Sequence, residues 1–292
     1  MNPPDEYFGV GKTLFKKRID DGTYEKQTNT VVARIWKNEE NKDIDLYKID
    51  VKDLRFNHLN GRLGPFLATY IKQNDLNDNY FETADMESRV QQRLLYKMLF
   101  ENEQQDPVLK KFKDGLEKLI SSEALISTPD GRIINGNQRL SVFKYLHSQD
   151  SEKFSHLGHI FVGVLPNNGS FEDEEKLENK EQMDKLETVK FNWLQNAFKY
   201  DAKLKLSWNT AKVANYHNKS EQEVKKDVAS LELLNKYLDF RGEEGEYKNI
   251  MSSNFKGNQF ISEGPTLLSN SKYFKNEKHR DLFRLMCFRL ID

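Results

Sequence analysis

Gly136, Asn137, Gln138 and Arg139 stand together near the middle of the chain, and their types suit the holding of an anion. Glycine lacks a Cβ, so an oxyanion can come close to its backbone. Asparagine and glutamine amides add neutral donors, and a guanidinium forks onto phosphate or carboxylate oxygens. The flanks strengthen the reading. Asp130-Gly131 is a turn signal, Ile133-Ile134 a short β-branched strand, and Leu140 to Leu146 an amphipathic run that predicts a helix. A strand passing through glycine into a helix gathers backbone N–H groups and the positive end of the helix dipole at one place. The expected chemistry is an anion cradle with Arg139 in the first helical turn. Asn137 and Gln138 are uncharged, so hydrogen bonding rather than charge does most of the holding.

Other residues are candidates by type. Asn60-Gly61 is a turn that sets the direction of Arg62, making Arg62 a candidate for phosphate or base contact. Glu178 and Asn179 lie in an acidic run with Glu172, Asp173, Glu174, Glu175, Glu181, Asp184 and Glu187, and such runs are usually solvated faces. Magnesium on a triphosphate needs one or two carboxylates, which Glu178 or Asp130 could supply. His156 and His159 have metal-like spacing, but no Cys or acid follows at zinc-site spacing, so no metal is assigned. Trp36, Trp193 and Trp208 sit on apolar faces and read as core.

The chain has 292 residues, 37% hydrophobic and 31% charged, enough for real cores beneath much solvated surface; two domains are expected. Its formal net charge of -1 means that nucleic-acid binding would need a local basic patch. No apolar run approaches the roughly 18 residues of a membrane span. The N-terminal residues are polar and acidic, unlike a secretory signal. A single cysteine, Cys287, excludes an internal disulfide and fits a reducing, cytoplasmic setting.

The elements that would position these residues follow from periodicity. Asp20-Asp21-Gly22 signals a hairpin in an N-terminal extension, 1–44. Thr30–Trp36 and Asp45–Val51 read as strands separated by a polar turn. Met86, Val90, Leu94 and Met98 mark a helix over 84–102, and Asp106-Pro107 opens another with Val108, Phe112, Leu116, Leu119 and Ile120 on one face. His159–Pro166 reads as a buried strand, so 45–170 forms an α+β domain. Beyond Asn168 the chain looks helical. Thr210–His217 and a helix opened by the capping box Ser220-Glu221-Gln222-Glu223 pair as a helix-turn-helix within 171–240. Lys219, Gln222, Lys225 and Lys226 are its DNA-contact candidates, against the opposing charge of Glu221 and Glu223. Residues 241–292 read as loop up to Asn270, then a last helix over 275–290.

The opening motif with its surroundings resembles the ParB/sulfiredoxin superfamily. Gly136-Asn137-Gln138-Arg139 falls on the Gly-Glu-Arg-Arg phosphate box common in ParB proteins, keeping the Gly and the last Arg. Asn60-Gly61-Arg62 sits where that family has an Asn/Gln-Pro-Arg box, and Leu177–Gln182 is similar to its Glu-Asn-x-x-Arg segment, with Gln182 at or beside the Arg position. The likeness spans about 45–240. It implies a small nucleotide-binding α+β domain followed by a DNA-binding helical module. It further implies a nucleoside triphosphate, CTP or ATP with Mg²⁺, on Gly136, Asn137, Gln138 and Arg139, with Asn60, Arg62 and Asn179 around it and Glu178 as the catalytic candidate. DNA and nucleotide are the expected partners, with no membrane and the homodimer left open. Relatives include DNA clamps, free amino-acid kinases and nucleases, so NTPase or nuclease activity stays open, as does a non-catalytic adaptor. Sulfiredoxins carry Cys where Asn137 stands, which argues against sulfinic-acid reduction.

Overall fold

The computed structural model describes residues 3–37, 39–81, 89–104, 124–184, 193–247, 250, 255–270, 272–274 and 276–291. In chain order its helices are α1 (Lys12–Asp20), α2 (Gly64–Gln73), α3 (Arg89–Gln104), α4 (Asn137–Gln149), α5 (Phe171–Asp184), α6 (Trp193–Lys205), α7 (Thr210–Tyr216), α8 (Glu221–Arg241), α9 (Asn258–Leu268) and α10 (Glu277–Ile291). Its strands are β1 (Glu25–Trp36), β2 (Glu39–Asp50), β3 (Leu125–Ser127), β4 (Ile133–Asn135) and β5 (His159–Val164). The expected α+β class is thus observed. The chain forms two compact units, one of residues 1–60 and 81–190, the other of 61–80 and 191–292.

The first unit is built on one mixed sheet in the order β1-β2-β5-β3-β4. β5 lies at its centre, antiparallel to β2 (Asp45 opposite Val164) and parallel to β3 (Ile126 opposite Gly163). β5 buries Ile160, Val162 and Val164 but leaves Phe161 exposed. Gly163 permits close packing here, because a Cβ at this position would lie 2.8 Å from Ile44 Cδ1. Ala33, Trp36, Ile44, Ile126, Ile134, Leu165 and Leu177 form the core between the sheet and α5.

Several expectations change. Asp20-Asp21-Gly22 ends a helix, α1, rather than turning a hairpin; Gly22 takes the left-handed conformation of a C-terminal cap. The hairpin joins β1 to β2 at Trp36 opposite Glu39, so its ladder crosses the expected boundary at 45. The boundaries at 171 and 241 likewise do not coincide with the two units. In α3 the apolar stripe is rotated: Val90 is exposed, and Gln91, Gln92, Leu95, Tyr96, Met98 and Leu99 face inward. Gln92 explains the rotation. Its Oε1 accepts from Phe56 N at 2.6 Å and its Nε2 donates to Phe56 O at 3.2 Å, so the buried amide serves as a strand partner for residue 56. Met86 and the helix expected from Asp106 lie outside the described residues.

In the second unit, Leu194, Leu231, Leu234, Tyr237, Leu238, Ile261, Leu268 and Phe288 form the main core. A smaller one, Tyr200, Val213, Ala214 and Val224, joins α6, α7 and α8. The capping box is formed: Ser220 Oγ accepts from Glu223 N at 3.2 Å, and Glu223 Oε2 accepts from Ser220 N at 2.9 Å. The expected loop up to Asn270 contains a helix, α9. The stretch reads as hydrophilic loop, but Ile261 and Leu268 bury one face of it. Gly264 lets Leu233 approach, a Cβ there lying 2.8 Å from Leu233 Cδ2. Packing outweighs propensity here. No described helix is long and apolar enough to cross a membrane.

Candidate functional site

β4 is buried throughout, and the chain leaves it through Gly136 at φ 105°, a conformation open chiefly to glycine. A Cβ at Gly136 would collide with Leu125 Cδ2 and lie 3.1 Å from Arg139 Nη2 and 3.4 Å from its Nε. The guanidinium of Arg139 is therefore folded back over Gly136. Gly136 is the N-cap of α4 and supplies no side-chain cap; the first intrahelical bond runs from Leu140 N to Gly136 O at 2.8 Å. The N–H groups of Asn137, Gln138 and Arg139 precede that bond and lie at the positive end of the dipole. The strand–glycine–helix junction expected from sequence is present, with Arg139 in the first turn.

The side chains divide the work unevenly. Asn137 is buried, and its amide is committed inside the protein: Oδ1 accepts from Asn57 N at 2.9 Å and Nδ2 donates to Ile133 O at 2.8 Å. Asn60 N donates to Asn57 O at 3.1 Å, so Asn60 closes the turn that carries Asn57. Arg132 joins Asn57 to α5, donating to Asn57 Oδ1 at 2.8 Å and pairing with Glu174 Oε2 at 2.5 Å. Burial raises the Glu174 carboxyl above its usual range, with Arg132 opposing the shift. Asp130 accepts from Thr128 Oγ1 and pairs with Arg55 Nη2 at 3.0 Å. Burial works to raise the Asp130 carboxyl, but Thr128, Arg55 and Arg132 outweigh it and hold the carboxyl low. His58, beside this network, is pushed down to about 3 by burial and by Arg132 and Lys12.

α5 overturns the expectation of a solvated acidic face. Glu178 is 2% exposed and Glu181 3%, with Asn179 also buried. Glu174, Leu177, Glu178 and Glu181 share one helical face, and Glu172, Asp173 and Glu175 are half-buried. Glu181 ties the two outer strands of the sheet to α5. Its Oε2 accepts from Asn135 Nδ2 on β4 at 2.9 Å and pairs with Arg34 Nε on β1 at 3.6 Å. A cavity of about 230 Å³ opens there, lined by Val31, Arg34, Ile126, Asn135 and Glu181 among others. The side chain of Gln182 lies outside what is described.

In the second unit, Arg62 is 5% exposed and lies two residues before the start of α2. Of the DNA candidates, Gln222 is exposed at the start of α8. Lys219 Nζ pairs with Glu223 at 3.2 Å, Lys225 with Glu221 at 3.5 Å and Lys226 with Glu263 at 3.0 Å. Each lysine is thus offset by an acid of the same unit. Among the described residues, no three His, Cys, Asp or Glu side chains gather as a metal site.

Sequence reasoning gave no role to Arg55, Asn57, Gln92 or Arg132 and read Glu181 only as one acid of a charged run. The usable signal was polar residues between apolar ones: Arg55 and Asn57 flank Phe56, and Gln91-Gln92 interrupts the apolar run of α3. Compared with known proteins, the chain matches no family model, no curated protein and no solved structure.

Proposed function

We propose that the chain is a ParB-like protein that binds a nucleoside triphosphate in its first unit and acts on DNA through its helical second unit. The observation that carries the nucleotide part is the left-handed Gly136 between β4 and α4. It leaves free of Cβ the space over which Arg139 folds, at a helix start whose N-cap glycine has no side chain to cap it. The junction fits phosphate by that test. Backbone N–H groups of Asn137, Gln138 and Arg139 would hold the phosphates and the Arg139 guanidinium would fork onto their oxygens. The bound Mg²⁺ and triphosphate would supply a polarised phosphoryl group. Glu178 and Asn179 are buried on α5 and are the residues of that helix assigned to this ligand.

The DNA part is supported by α7 and the capped α8 packed on α6 around Val213, Ala214 and Val224. Ion pairing of Lys219, Lys225 and Lys226 works against tight electrostatic binding, so DNA affinity should be modest and strongly salt-dependent.

Isothermal titration of the full chain with ATP, CTP, GTP and UTP in Mg²⁺ tests the reading. One triphosphate should bind, and Arg139→Ala should weaken it about tenfold or more, as expected for loss of a charged hydrogen bond. No binding by the wild type, or unchanged binding by Arg139→Ala, overturns it.

A further inference from the structure

A separate set of basic groups is assembled wholly within the second unit. Gln195, Lys199 and Lys203 recur every fourth residue on α6 and therefore share one face. Gln195 Nε2 reaches Arg62 O at 3.4 Å, which fixes the Gly61-Arg62 turn against α6. Lys199 lies across that turn. A Cβ on Gly61 would collide with Lys199 Cε and stand 2.6 Å from its Nζ, so the absence of a side chain at Gly61 makes room for the ammonium. One turn further along, Lys203 is buried with its Nζ 5.3 Å from the Tyr216 ring centre and 5.0 Å from that of Trp208. Tyr216 in turn packs edge-on to His217 at 5.0 Å, and Tyr200 meets the same imidazole at 4.9 Å.

His217 supplies an independent observation. It is 5% exposed, and its Nε2 is buried with no hydrogen-bond partner. Burial, then Lys199 and Lys203, push its imidazole down to about 3, so the ring is neutral and sits in a positive field. A neutral imidazole with an idle ring nitrogen can donate a hydrogen bond to an anion. Lys199 and Lys203, whose charges already act on that imidazole, supply the charge that an oxyanion needs. α2, ten residues long, begins two residues after Arg62 and adds the positive end of its dipole.

We infer that the Gly61-Arg62 turn, Lys199, Lys203 and His217 form an anion site in the second unit, suited to a phosphate group. The shared chemistry is a phosphate oxyanion, whose source is either a nucleotide or the backbone of DNA. The inference does not rest on the Gly136 loop.

The test follows the ¹⁵N-labelled His217 ring by NMR in the full chain, its signal assigned by His217→Gln, during titration with inorganic tripolyphosphate. The background is Arg139→Ala, which removes the guanidinium that folds over Gly136 in the first unit. The His217 signal should move saturably, and Lys199→Ala should weaken the apparent affinity about tenfold or more. Gly61→Ala, which displaces the lysine end without removing a charge, should weaken it in the same direction while circular dichroism stays unchanged. Parallel titrations with a nucleoside triphosphate and with duplex DNA identify the source by which one moves His217 at lower concentration. A His217 signal that none of the three anions moves, or one whose titration Lys199→Ala leaves unaltered, overturns the inference. If Arg139→Ala leaves triphosphate binding intact and Lys199→Ala abolishes it, the nucleotide reading of the Gly136 loop fails and this site stands.

Discussion

Asn57 donates its backbone N–H to Oδ1 of Asn137 at 2.9 Å, across 80 residues of sequence. The other end of the same amide holds Ile133 O, so one side chain fixes both the start of β4 and the chain that follows Phe56. Asn137→Ala removes both bonds and leaves two buried backbone groups unpaired. It should cost about 2–4 kcal/mol, read as a lowered urea midpoint with unchanged slope. A loss below about 0.5 kcal/mol, the size of an ordinary surface change, would show that this amide does not organise the loop.

Glu181 joins β4, β1 and α5 through Asn135 and Arg34. Glu181→Ala removes the acceptor of the buried Asn135 amide, while Arg34, 37% exposed, stays accessible to water. The loss should be about 1–3 kcal/mol, the scale for a buried polar group left without its partner. Glu181→Gln keeps an acceptor for Asn135 and should recover part of it, in the same denaturation series.

How much of this could be read beforehand depended on whether local or distant contacts decide a residue's place. The Gly136 junction and the Ser220–Glu223 capping box were legible because their bonds are local; Leu140 N meets Gly136 O within one turn. The burial of Glu178 and Glu181 was not. The same acids would be solvated without β1 and β4 against that helix face, and only tertiary contact distinguishes the cases. The rotated face of α3 has the same cause, since Gln92 is buried to serve Phe56, 36 residues away. In α9, Gly264 and Pro265 point to a loop locally, and packing against Leu233 prevails.

Lys144 on α4 is buried, donating to Leu54 O at 2.8 Å and to Tyr7 O. Burial pulls its ammonium from 10.5 down to about 7, with Asp53 and Asp50 opposing the shift. Between those values the unfolded chain binds more protons than the folded one. The resulting stabilisation is full above pH 10.5 and is lost as pH falls through about 7. Stability of the wild type relative to Lys144→Met should therefore rise with pH across this window, by up to about 1.4 kcal/mol per unit. Urea titrations of both proteins between pH 7 and pH 10 check the slope, and parallel curves would contradict it.

Lys226 pairs with Glu263 at 3.0 Å and is thereby withdrawn from any DNA phosphate. Glu263→Gln frees the charge. If α8 meets DNA, duplex affinity should rise about two- to fivefold, the scale of an exposed ion pair. Removing Lys219, Lys225 and Lys226 together should lower the slope of log K against log salt by roughly 2 to 3. Fluorescence anisotropy across a salt series measures both.

The most direct measurement is a crystal of the full chain soaked with the triphosphate that binds and Mg²⁺, read for density beside Gly136. Phosphate oxygens should lie within hydrogen-bond distance of the N–H groups of Asn137, Gln138 and Arg139, about 2.7–3.2 Å, with the Arg139 guanidinium on the same phosphates. Nucleotide bound elsewhere, with this helix start left empty at saturating ligand, would contradict the assignment of Gly136 as the phosphate cradle.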